Sequence, residues 1–442
     1  MKIKKSILLF KILLFIILFI GCGKMFRFLL VDDTSSFTRI MMHEFYHQDQ
    51  NIDILFVGSS HCYFSFVPAI TDEIFDKNTF CAGSSAQQMG ASYEIIKEAD
   101  RLNNLEHIYL EVYHGLADYS PNKERTLMTS TYIVSDYMRP SLSKIHFLLK
   151  ASSKEYYVNS FIPARRNWAD FLDPDYVMTL IQKKTSDGYQ SYSYDSVSTD
   201  TEQYMGKGYV TNNGYAPEYF FLSYYPLYPL GFSKDWENSL NKIIDFCAEK
   251  EIALTLVSAP LPTYTLEARG NYDVYIEKIN QIIEGTDVDY YDFNLCKEDY
   301  IPNSTQIFRD SDHLNTDGAT LFSNIFARFF TDEISKQDLF YNSYEEKSFH
   351  LDAAVFGLNY QDRPVENSSE NLIRHVTVVS NRPDEMEYRI LLNPEDSAPC
   401  LIQDFSKNRE FELSPEEHGE CTLSTRLVCD PENTLQTIII AY

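Results

Sequence analysis

Two short constellations carry the residue types that acyl-group chemistry needs. The first is Gly58-Ser59-Ser60-His61, at the end of the apolar run 53–58 (DILFVG). The second, about 250 residues further on, is Asp310-Ser311-Asp312-His313-Leu314-Asn315, just before a helical pattern. A serine hydroxyl is a weak nucleophile until a base takes its proton. A carboxylate three residues before a histidine can accept from one ring nitrogen, aim the other at a serine and stabilise the imidazolium that forms. Taken singly, each constellation also fits a bland reading. Gly-Ser-Ser suits a tight turn that caps a helix, and Asp-x-x-His suits a capping turn or a surface pair. Together they predict Ser60 as nucleophile, His313 as general base and Asp310 as its orienting carboxylate. Asp312 competes for the orienting role, but lying next to His313 gives it an awkward geometry. His61 reads as a wall residue beside the nucleophile.

The elements around these residues form an alternating pattern. Residues 53–58, 78–82, 107–112, 252–258 and 288–291 are short, β-branched or aromatic apolar runs that read as buried strands. Helical spacing falls between them, at 67–76, 91–105, 236–250 and 272–283, and closes with 316–330. Strands alternating with helices imply a parallel sheet covered on both faces. In such sheets ligands bind beyond the carboxyl ends of the strands, where Ser60 falls. The alternation stops between about 115 and 234. This Tyr-, Ser- and Asn-rich stretch, helical near 141–149, reads as an insertion over the active-site face. Its Arg165 and Arg166 suit an anionic substrate, against the default of a solvated charged face. Beyond about residue 349 the pattern becomes short alternating segments (374–379, 387–392, 422–428, 437–440), the signature of a small all-β sandwich.

These residues resemble the SGNH/GDSL hydrolase family over roughly 53–330. The family's Gly-Asp-Ser block matches Gly58-Ser59-Ser60, with Ser59 in place of the Asp. Its block after the second strand centres on a glycine, matched by Gly83, and its Asp-x-x-His block is matched by Asp310 and His313. The resemblance implies a three-layer, flavodoxin-like α/β fold. It also implies an oxyanion hole built from the N–H groups of Ser60 and Gly83. One departure stands out: the family's third block supplies an oxyanion-hole Asn after the third strand, and this chain has Glu111-Val112-Tyr113-His114. Either Tyr113 or His114 donates there, or the backbone N–H groups act alone. Losing one preorganised donor costs about 10²–10³ in rate. The Gly-Ser-Ser variant, an N-terminal anchor and an outward-facing domain are similar to the D-alanyl transfer proteins and polysaccharide O-acetyltransferases of this superfamily. That similarity implies acyl transfer on a cell-envelope glycan or an acylated small substrate, with a membrane acyltransferase as a partner and with no metal or organic cofactor. The alternative is a non-catalytic envelope protein that binds glycan or a partner on the same scaffold.

The rest of the sequence supports an envelope setting. Lys2, Lys4 and Lys5 precede an apolar stretch from Ile7 to Gly21 broken only by Lys11. This predicts an uncleaved signal anchor over 1–23 with everything after it outside; lipidation at Cys22 is the runner-up. The expected organisation is therefore an anchor (1–23), an α/β domain (24–335, with the insertion) and a β domain (345–442). A net charge of −26 argues against nucleic acid as a partner. The eight cysteines include no CxxC pair, so zinc-site spacing is absent. A Cys421–Cys429 disulfide is one candidate in an oxidising compartment.

Overall fold

The computed structural model describes residues 2–118, 125–223, 232–365 and 368–442. Two stretches of the expected insertion, 119–124 and 224–231, thus lie outside the described residues.

Five parallel strands form the central sheet: β1 (Ile54–Gly58), β2 (Thr79–Gly83), β3 (His107–Glu111), β4 (Ala253–Ser258) and β5 (Asp289–Asp292). They lie in the order β2-β1-β3-β4-β5, each pair in parallel register. The strand order reverses between β1 and β3, and such a reversal opens a crevice at the carboxyl ends. The continuous apolar runs follow from burial on both faces. Leu55 and Val57 of β1 pack into one cluster with the helices Phe37–Tyr46, Met89–Leu102 and Lys234–Lys250. Ile54 and Phe56 face a second cluster with Cys62, Phe322 and Phe326. The strand alternation thus feeds two separate cores. Phe56, Phe66, Tyr109 and Phe326 form the aromatic centre of the second, with ring centroids 4.3–5.7 Å apart.

The insertion is mostly short helices plus one hairpin, Glu202–Gly206 with Tyr209–Asn212. The hairpin turn lies along the outer edge of β2, where the Cys81 N–H donates to Lys207 O at 2.9 Å, and Glu202 of the hairpin pairs with Arg309 in the histidine loop. An edge strand has unpaired backbone groups, and the turn satisfies one of them. Gly208, at φ +80°, makes this possible, since a Cβ there would sit 1.7 Å from Cys81 O.

The C-terminal region has two four-stranded sheets that share one apolar core, including Val376, Val378, Ile390, Leu423 and Ile438. Its boundaries depart from the expected 345–442. Phe220–Ser223, from the insertion, joins as a parallel edge strand beside Val355–Val365. Three strands were missed: Val355–Val365 and Cys400–Ser406, which carry no clean alternation in sequence, and Glu410–Leu413, which alternates but is only four residues long. The disulfide candidate also departs from expectation: Cys421 is buried, Cys429 is exposed, and all eight cysteines are free. Cys421 points into the β core from its strand, whereas Cys429 follows the strand's end.

The N-terminal helix runs from Lys2 to Leu30, past the expected limit of residue 23 and without a break at Cys22. Within it the 24-residue stretch Ile7–Leu30, whose most apolar 18 residues have a mean hydropathy of 2.4, is long and apolar enough to cross a membrane.

Gly208→Ala is expected to lower stability by more than about 1 kcal/mol, because it adds both positive-φ strain and a clash with the β2 backbone. A thermal midpoint equal to that of the parent chain would contradict this account of the hairpin.

Candidate active site

Ser60 opens the short helix Ser60–Ser65 that leaves the carboxyl end of β1. Ser59 caps it, its hydroxyl accepting from the His61 N–H at 3.3 Å. Ser59 is itself held by Glu111, at the end of β3: one carboxylate oxygen accepts from the Ser59 N–H at 2.6 Å and from its hydroxyl at 2.8 Å. Gly58 must be glycine because a Cβ there would lie 2.5 Å from that same oxygen. Gly83, at the end of β2, lies against the first turn of the helix; a Cβ there would fall 2.9 Å from Ser59 O and 3.0 Å from Cys62 Cβ.

The histidine arrives from the loop before the helix Thr316–Phe330. Asn315 caps that helix, accepting from the Gly318 N–H at 3.0 Å, and its amide donates back to Gln306 O at 2.7 Å. Gly318 lets the loop press onto the helix, since a Cβ there would be 2.0 Å from Ile307 O. The Arg309 N–H donates to His313 O at 2.8 Å and closes the turn.

In this frame the Ser60 hydroxyl lies 2.8 Å from His313 Nε2. The Asp310 oxygens lie 3.0 and 3.1 Å from His313 Nδ1. With the Nδ1–H donating a hydrogen bond to the carboxylate, Nε2 is left as an acceptor for the serine proton. Asp310 Oδ1 also accepts from the backbone N–H groups of Asp312 and His313, both at 2.8 Å. Burial alone would raise the Asp310 pKa. The hydrogen bond and charge of His313 and the two backbone donors outweigh it, and hold the carboxyl at about 2. Asp310 therefore stays ionised as the charged partner of the ring.

Asp312, the competing carboxylate, faces elsewhere. It accepts from the Tyr113 hydroxyl at 2.8 Å and lies 3.8 Å from Arg269. Tyr113 or His114 was one option for an oxyanion donor and the backbone N–H groups alone the other; the Tyr113 hydroxyl and His114 Nε2 both have partners. The Tyr113 hydroxyl accepts from Arg269 at 3.2 Å while donating to Asp312, and His114 Nε2 accepts from Arg269. Arg269 is the physical reason for both arrangements, since its guanidinium lies between the two side chains. His61 is buried, its ring 4.8 Å from that of His313 and 4.0 Å from that of Tyr113. Burial first, and the charge of His313 second, push its pKa well down, so it stands as a neutral wall. Arg166 forms a two-pronged ion pair with Asp136 at 2.8 and 2.9 Å.

A cavity of about 490 Å³ opens beside Gly83, lined also by Tyr63, Ser85, Asp32, Ser36 and Ile133. Sequence reasoning gave no role to Glu111 or Arg269. A charged residue at the carboxyl end of an otherwise apolar buried strand was the one signal that could have singled out Glu111.

Comparisons with known proteins add little. No protein-family model and no curated protein sequence matches the chain. Among solved structures, one from Streptococcus pneumonia, described provisionally as a platelet activating factor, aligns with 68% of this chain and 92% of its own. Its identity is 11% and its TM-score 0.31. The described residues form a mixed α/β protein with a five-stranded parallel sheet and additional antiparallel β sheets.

Burial pushes the Glu111 carboxyl up to about 7, only partly offset by its bonds from Ser59 and the charge of His313. The folded chain therefore holds this proton more tightly than the unfolded chain. The resulting stabilisation is complete below about pH 4.5 and is lost as pH rises through about 7. Glu111→Gln keeps an acceptor for Ser59 but has no proton to lose, so it should flatten the decline in unfolding midpoint across that window. Glu111→Ala leaves the buried Ser59 N–H unpaired and should cost about 1–3 kcal/mol by denaturant titration.

Proposed function

We propose that this chain is a membrane-anchored, extracytoplasmic serine esterase or O-acyltransferase of the SGNH type, acting on cell-envelope glycans. The observation that carries the reading is the hydrogen-bonded series Asp310–His313–Ser60, with contacts of 3.0 and 2.8 Å. In this scheme His313 Nε2 takes the Ser60 proton as Oγ attacks the acyl carbonyl. The N–H groups of Ser60 and Gly83 receive the oxyanion. The tetrahedral adduct collapses to acyl-Ser60, and His313 returns its proton to the leaving alkoxide. Water or a glycan hydroxyl then attacks the acyl-serine by the same route in reverse. Asp310 keeps His313 in the required tautomer throughout. Ile7–Leu30 supplies the anchor, and its basic start keeps the N-terminus inside.

The engagement of Tyr113 and His114 with Arg269 and Asp312 favours a second reading, a non-catalytic protein that binds glycan or a membrane acyltransferase. A fluorophosphonate probe separates the two. On the enzymatic reading the full chain is labelled at Ser60, and labelling disappears in Ser60→Ala. His313→Ala should label more slowly by on the order of 10³-fold, because the hydroxyl has lost its base. Absence of labelling in the folded parent chain would leave the binding protein.

A further inference from the structure

The free-standing part of the N-terminal helix has a telling length. Its exposed apolar portion spans residues 7–25, about 28 Å at 1.5 Å per residue. That is close to the roughly 30 Å hydrocarbon core of a bilayer. The next turn is already inside the protein. The Phe26 ring lies 5.7 Å from Trp168 and 6.0 Å from Phe171, and those two rings stack at 5.7 Å.

The helix end is clamped in place. Lys184 is buried, donates to Arg27 O at 3.5 Å and to Val31 O, and pairs with Asp33 at 3.0 Å. A cation at the carboxyl end of a helix meets both its orphan carbonyls and its dipole. The Tyr176 hydroxyl donates to Leu30 O at 3.2 Å, and Arg27 lies over the Tyr137 ring at 5.6 Å. The direction of the helix is therefore fixed relative to the body, and whatever surrounds Phe26 lies at the level where the helix leaves the hydrocarbon.

What surrounds it is apolar and uncovered. Pro163–Leu172 and Pro174–Lys184 both pack on the helix. They and the preceding turn expose Phe161, Ile162, Trp168, Phe171, Leu172 and Met178, with Leu172 at 85%. An exposed patch of this kind marks an interaction surface, and Trp with Phe and Leu suits a bilayer interface. The acidity of the chain lies elsewhere: residues 157–184 carry four basic and three acidic side chains, against −26 overall.

We propose that this patch is embedded in the outer interface of the same bilayer that the helix spans, so that the body is docked on the membrane in one pose and does not swing on a tether. The proposal rests on the reading of Ile7–Leu30 as a membrane span. A cavity of about 440 Å³ lined by Val31, Tyr137 and Arg166, next to the clamp, shares Asp32, Ser36 and Ile133 with the cavity beside Gly83.

The two tryptophans make a direct test. Trp236 is 4% exposed and Trp168 is 50% exposed. The full chain is reconstituted in phosphatidylcholine vesicles with plain or brominated acyl chains, beside Trp168→Phe, which supplies the Trp236 background. Bromine should quench at least about half of the Trp168-dependent emission, and that emission should be blue-shifted from that of water-exposed indole. A second reporter, Leu172→Trp in the Trp168→Phe chain, should be quenched as well and guards against a local defect at position 168. Unquenched emission from both reporters in chain that floats with the vesicles overturns the docking and leaves the anchor standing. Failure to float overturns the anchor, and the docking with it.

Discussion

The candidate site depends on one contact between groups 253 residues apart, the Ser60 hydroxyl and His313 Nε2. Neither group can reach the other unless the end of the first strand and the loop before the last α/β helix emerge on the same edge of the sheet. A parallel sheet secures that, because every strand ends on one edge and every crossover returns to the other. The remaining tolerance, a few tenths of an ångström, is set locally. Asn315 and Gly318 hold the histidine loop against its helix, and Glu111 holds the turn that precedes the serine.

Glu111 links the two halves of this arrangement. It is a buried carboxyl group, 3% exposed, and its position is costly unless its oxygens accept hydrogen bonds. The Ser59 N–H and hydroxyl supply them. In return, Ser59 is fixed as the cap of the helix that presents Ser60. The same strand continues into Tyr113 and His114, where Arg269 draws both side chains into a polar group with Asp312. The consequence is a division of labour between the two acidic residues of Asp310-Ser311-Asp312-His313. Asp310 turns back onto the imidazole, and Asp312 turns outward to the tyrosine and arginine.

The insertion couples the two ends of the molecule. Its hairpin closes the β2 edge, its short strand Phe220–Ser223 completes a C-terminal sheet, and its helices grip the end of the N-terminal helix. Each of these contacts satisfies a backbone group or buries an aromatic ring that the α/β core leaves open. The long interruption in the strand–helix alternation therefore acts as connective structure between the N-terminal helix, the α/β core and the β region.

The sequence by itself determined the central sheet and the candidate Ser, His and Asp. Buried parallel strands must be uniformly apolar, so 53–58, 107–112 and 252–258 stand out, and the polar residues at their ends stand out with them. The helix 316–330 was legible to the residue because Asn315 is a strong cap and the apolar spacing is regular. The missed elements lack such local marks. Val355–Val365 pairs with the next strand, Ser368–Ser380, but its Asn359, Gln361, Asp362 and Arg363 break the apolar alternation, and Phe220–Ser223 is a strand only because a partner edge is there. The partners of Asp312, Tyr113 and His114 were invisible for the same reason: Arg269 is an ordinary charged residue until folding brings it between them. Local periodicity reports which face of an element is buried, but which side chains meet there is decided by chain crossovers that only the tertiary structure contains.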